Sequence, residues 1–135
     1  MTEKEIVIDA SEGVLGRVAS FAAKQSLLGK KVTIVNCEKA LVTGRRKNIL
    51  EEYKIARRRG GSSRKGPKFP KSSERIMKRT IRGMLSYKEG RGSEAFKRIM
   101  CYDAIPEEFA NTKKINLKKE LNAKSLELKE VSREL

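Results

Sequence analysis

Four cations, Arg75, Lys78, Arg79 and Arg82, fall on one side of a segment whose other side carries Ile76, Met77, Ile81, Met84 and Leu85, taken at about 100° per residue. Guanidinium and ammonium groups are donors only, so a cluster of them binds oxyanions, phosphate above all, through charge-assisted hydrogen bonds. Like charges one turn apart repel. Their counterions are therefore expected outside the chain. The same residue types recur nearby as Arg45, Arg46, Lys47, Arg57, Arg58 and Arg59, then Arg64, Lys65, Lys68 and Lys71 in a Gly-, Ser- and Pro-rich stretch, then Lys88, Arg91, Lys97 and Arg98. Residues 45–98 hold nineteen Lys and Arg against five Glu, which is +14 of the chain's net +15. Charge confined to the middle of a chain reads as a footprint for a polyanion, because solubility requires no such concentration.

The residues for other chemistries are missing or scattered. There is no histidine, the commonest general acid and base. Cys37 and Cys101 stand 64 positions apart with no C-x-x-C partner, so zinc is not expected, and in a reducing compartment they read as small buried hydrophobes at strand ends. Gly13 and Gly16 give G-x-x-G rather than G-x-G-x-x-G, and no strand-end acid follows about twenty residues later to hold a ribose. Gly13 is read as a turn, and Gly16 as room for a helix to lie close on a sheet. Asp9, Glu38 and Asp103 are isolated acids. No catalytic residue, cofactor, metal or small-molecule substrate is expected. A reader of single-stranded bases would need stacking aromatics on a sheet face, yet aromatics are 5% of the chain and Trp is absent. A membrane-surface helix over 74–87 would want Trp, Phe or extra Leu on its apolar side. No apolar run reaches the ~20 residues that span a bilayer, and Glu3, Lys4 and Glu5 open the chain where a signal peptide would be basic and apolar. A cytosolic location is expected.

These cations need a scaffold, and the flanking sequence supplies one. Residues 5–9 form a β-branched run suited to a buried strand; 10–13 turn; 14–23 place Leu15, Val18, Ala19 and Ala22 on one helical face, with Gly29 as C-terminal cap. Residues 31–36 are a second strand. Strand, helix and strand within about thirty residues make a βαβ unit with parallel pairing and a right-handed crossover. A third short strand is expected at 40–42, with Thr43 as N-cap of a helix over 45–59 whose apolar stripe is Ile49, Leu50, Tyr53 and Ala56. The arginines ending it also suit the helix dipole. Residues 60–71 have almost no apolar anchor and should order only against phosphates. Helix 74–87 leads to a turn at 87–93, then a helix at 94–100 with Phe96 and Ile99 inward and Lys97 and Arg98 outward, then a strand at 101–105 ended by Pro106. The tail, 106–135, is charge-balanced, and from 118 onward its Leu, Lys and Glu fit one or two surface helices. The whole, 1–135, is read as one α/β domain with a modest core, since 38% of residues are apolar and 36% charged.

Several motifs along this path are shared with a known family. Val7-Ile-Asp-Ala with Leu15-Gly-Arg-Val-Ala-Ser20, Gly29 with Val32 to Asn36, Val42-Thr-Gly44, Glu74-Arg75, Ile81-Arg-Gly-Met-Leu85 and Ala95-Phe-Lys-Arg98 occur in order over about residues 6–105. Together they resemble the universal family of large-subunit ribosomal protein thirteen. Residues 45–71 and the part after Pro106 look like its archaeal and eukaryotic branch, and the absence of a long C-terminal extension favours an archaeal source. The resemblance implies a three-layer α/β/α domain with a small, mostly parallel sheet and a basic loop extension. It also implies large-subunit ribosomal RNA and neighbouring large-subunit proteins as partners, a cytoplasmic place in the ribosome, and no catalytic role. Arg17, Arg75, Arg82, Lys97 and Arg98 lie in matching motifs and are the implied RNA contacts. The remaining cations of 45–98 are assigned to RNA by charge. The alternative is an RNA-binding regulator acting outside the ribosome, for example on messenger RNA.

Overall fold

The computed structural model describes residues 5–58, 71–118 and 124–135. Strand β1, Glu5–Asp9, and strand β2, Lys31–Val35, pair in parallel from Glu5↔Lys31 to Asp9↔Val35, and helix α1, Leu15–Leu27, connects them. The unit forms because its patterns are local. Ile6 and Ile8 alternate with Val7, and all three are buried, as a strand covered on both faces requires. Leu15, Val18, Ala19, Ala22 and Ala23 form one buried face of α1. Gly29 stands at φ +95° just past the C-cap residue Leu28, the left-handed position that a glycine fills without strain.

The sheet is completed by β4, Ile99–Cys101, parallel to β2, and by β5, Ile115–Asn116, parallel to β1, in the order β4-β2-β1-β5. Ile6, Ile8, Val32, Ile34 and Ile99 face the main core, which they share with α1, with α3, Ser73–Arg82, and with α4, Gly90–Lys97. Val7 lies on the opposite face, where it lines a cavity of about 530 Å³ with Phe109 and Ile115. The result is the expected three-layer α/β fold with a mostly parallel sheet.

Several expectations change in detail. The third strand, β3, is Leu41–Thr43 and stays outside the main sheet, pairing antiparallel with β6, Ser125–Glu127. Thr43 is thus a strand residue rather than a helix cap. Helix α2 is Arg46–Arg58, with Ile49 buried and Leu50 and Tyr53 packed on the core. Helix α3 stops at Arg82 instead of 87. Gly83, a poor helix former, takes the C-cap, and residues 84–89 continue as turns. The Gly-Arg-Gly stretch expected to turn is the first part of α4, and Gly92 is required there by packing, since a Cβ would come within 2.1 Å of the Ser86 carbonyl oxygen. The last core strand is Ile99–Cys101 rather than 101–105, since Asp103 turns back to accept a hydrogen bond from the Glu74 N–H (2.9 Å) at the start of α3. The tail is no surface appendage. Leu126 of β6 and Leu128 and Val131 of α5, Leu128–Glu134, are buried in the core. Of the cysteines, Cys37 is buried and Cys101 half-buried.

Candidate nucleic-acid interface

Helix α3 presents the cations because its other face is committed to the core. Ile76, Met77 and Ile81 are buried, and Leu85 anchors the turn beyond. Arg75 is consequently exposed, and Arg79 and Arg82 are half-exposed. Lys71 precedes this helix, Lys88 sits in the following turn, and Arg91 and Lys97 project from α4; all four are exposed. Arg17 is exposed on the first turn of α1, and Arg45, Lys47 and Arg57 are exposed at the two ends of α2. Among the described residues, Arg17, Arg45, Lys47, Lys71, Arg75, Lys88, Arg91 and Lys97 form no ion pair. The acids that do pair lie mostly elsewhere: Glu130 and Glu134 on α5, Glu5, Glu12 and Glu127. The outcome is a belt of exposed cations before and along α3, in the turn and on α4, of which Lys71, Arg75, Lys88, Arg91 and Lys97 have no ion pair among the described residues.

Three of the expected contact residues are occupied within the fold. Lys78 is half-buried, its long stem carrying the ammonium back toward the protein. The ammonium donates to the carbonyl of Phe96 (3.2 Å) and to that of Ile99, and lies 4.5 Å from the centre of the Phe96 ring. Burial holds its pKa below the usual lysine range. Arg98, expected to point outward, donates from Nη1 to the Ser26 carbonyl (2.8 Å) at the end of α1 and approaches Glu94 at 3.9 Å. It adds a charged donor to a carbonyl that already accepts the Gly29 N–H (3.0 Å) at the C-terminus of α1. Arg46 bridges α2 to α5 through Glu130 (2.9 Å) and Glu134 (3.5 Å). Sequence reading could not separate these three from their neighbours, because each is engaged by residues distant in the chain. The side chain of Arg58, and Arg59, Arg64, Lys65 and Lys68 with the rest of 59–70, lie outside the described residues.

One member of the surface was missed from sequence. Tyr87 follows the buried Leu85, is 39% exposed, and carries the Arg82 guanidinium 4.9 Å from its ring centre. Its signal was a lone aromatic inside a basic stretch.

The carboxyl end of the sheet, at Asp9 and Asn36, holds a polar knot of another kind. Asp9 accepts from the Asn36 side-chain amide (3.0 Å) and from the Ser11 N–H (3.0 Å). Burial works against its charge, but these hydrogen bonds prevail and hold the carboxyl below its ordinary range. Asn36 reaches Asp9 from a left-handed backbone position, φ +58°, that Asn tolerates better than most residues. These groups satisfy one another. No group of three or more His, Cys, Asp or Glu among the described residues could hold a metal, and no helix among them is long and apolar enough to cross a membrane.

A belt of cations on a small α/β scaffold has relatives, and a family model described as "Ribosomal protein L13" matches residues 3–108. The chain belongs to the ribosomal protein L13 family. The "Large ribosomal subunit protein uL13" of Methanosarcina barkeri is 45% identical over 135 residues, covering 96% of each chain. The protein of the same name from Natronomonas pharaonis is 42% identical, covering 98% of this chain and 92% of its own. That of Picrophilus torridus is 41% identical, covering 88% and 86%. The L13 model takes in β1 to β4, which include α3 and α4, and two of these archaeal relatives extend the match over nearly the whole chain.

Proposed function

We propose that this chain is a structural constituent of the large ribosomal subunit that binds and stabilises ribosomal RNA, during assembly and in the finished particle. The observation that carries this is the belt of exposed cations without ion pairs among the described residues, Lys71, Arg75, Lys88, Arg91 and Lys97, on and beside two helices whose other faces are core. A folded chain leaves such repulsion unrelieved at a loss of stability unless a polyanion supplies the counterions. The family and the names of its archaeal relatives support the same reading.

Arg75, Arg79, Arg82, Lys88, Arg91 and Lys97 form the central contact in this proposal. Arg17, Arg45, Lys47, Arg57 and Lys71 extend it, and Arg58, Arg59, Arg64, Lys65 and Lys68 belong to it by charge alone. Arg46, Lys78 and Arg98 are given a structural part because each donates to an acceptor of the protein, Arg46 at the surface and the other two part-buried. Dispersed cations reach phosphates and suit the shape of folded RNA more than its sequence. The proposed role includes no catalysis, and its setting is the cytoplasmic ribosome beside other large-subunit proteins. A tagged chain should co-sediment with large subunits through a high-salt sucrose cushion. Recovery only in the free fraction would contradict the proposal.

A further inference from the structure

The turn between α3 and α4 has features that phosphate binding alone leaves unexplained. Tyr87 is a large aromatic at the surface, and one of its ring faces is taken by the guanidinium of Arg82 at 4.9 Å. The ring sits on a turn pinned from both sides. The Tyr87 N–H donates to the carbonyl of the buried Leu85 (2.9 Å), the Glu89 N–H to that of Ser86 (2.9 Å), and the Ser93 N–H to that of Glu89 (2.8 Å). Gly92 of α4 lies so close that an added Cβ would be 2.1 Å from the Ser86 oxygen. Lys88 and Arg91 follow Tyr87 in the chain, exposed and without ion pairs among the described residues, and Glu89 is the one acid in residues 83–93.

From this arrangement we propose that Tyr87 is a stacking platform for an unpaired nucleobase of the bound RNA, inserted as the outer layer of an Arg82–Tyr87–base sandwich. The inference rests on the RNA-binding reading and deepens it. Every base has a π face, so an aromatic platform accepts unpaired nucleotides without reading their edges, and the arginine on its far side polarises the stack. The pinned turn means that little backbone freedom is lost when the base arrives. Lys88 and Arg91 stand where the phosphates on either side of an extruded nucleotide must pass. A protein partner seeking an apolar ring would meet those two cations at its edge, and this favours a nucleotide as the occupant.

The test compares two RNA hairpins that differ only in a single bulged adenosine in the stem. Tyr87→Ala should weaken binding of the bulged hairpin by about 10- to 100-fold, and change binding of the fully paired one by no more than about twofold. Tyr87→Phe should bind as the wild type does. Because truncation to Ala also removes side-chain bulk from the turn, Tyr87→Leu serves as a second variant. It keeps apolar bulk without a π face, and should show the same selective loss with an unchanged thermal midpoint. The chain has no Trp, so its tyrosine emission is observable directly, and the bulged hairpin should quench the share that Tyr87→Phe removes. Equal affinity of Tyr87→Leu and wild type for the bulged hairpin would overturn the platform. So would an equal loss for both hairpins, which would make the ring a mere support for the turn. If the wild type binds neither hairpin, the RNA-binding reading fails first.

Discussion

Arg75 and Lys78 are three residues apart on α3, yet the same charge serves different ends. Arg75 is exposed and without an ion pair among the described residues, whereas Lys78 donates to the carbonyls of Phe96 and Ile99. Arg75→Ala should leave stability within about ±0.5 kcal/mol of wild type and lower the salt slope of RNA binding by roughly one unit. Lys78→Ala should do the reverse, costing about 1 to 3 kcal/mol in urea unfolding because two carbonyls lose a charged donor, with the slope unchanged. Asp9 gives a pH signature. Its folded pKa lies below the ordinary 3.8, so its contribution is complete above the unfolded value and disappears as pH falls through the folded one. The stability gap between wild type and Asp9→Asn, measured by urea unfolding, should therefore be larger near pH 6 than near pH 3. A gap that widens in acid would reverse the sign assigned to the Asn36 and Ser11 hydrogen bonds.

At the scale of elements, the first three were legible in the sequence because their causes are local: a β-branched run in β1, an apolar face in α1, β-branched residues in β2. Long-range contacts hid the rest. Nothing near Leu41 announces that its strand will pair with Ser125–Glu127, and the glycines opening α4 look like a turn until Ser86 is found packed against Gly92. The tail was misjudged for a related reason, since Leu126, Leu128 and Val131 cover a core built by distant segments. Leu128→Ala should accordingly cost about 2 to 5 kcal/mol, as a buried leucine does, whereas a surface helix would lose well under 1. Chemical unfolding decides between them.

For the molecule as a whole, charge location was the most legible property, and charge engagement the least. Composition placed +14 of the net +15 within residues 45–98, and the described fold turns the cations of α3, the following turn and α4 into one belt. Which of them are engaged by the protein itself depended on Phe96, Ser26 and Glu130, partners that no local pattern names. The central claim is that an external polyanion supplies the missing counterions, and the salt dependence of RNA binding measures this directly. With ~6 to 10 phosphates neutralised, raising salt from about 50 to about 200 mM should weaken binding to a folded large-subunit RNA fragment by on the order of 10³ to 10⁵. An affinity unchanged across that range would contradict the account.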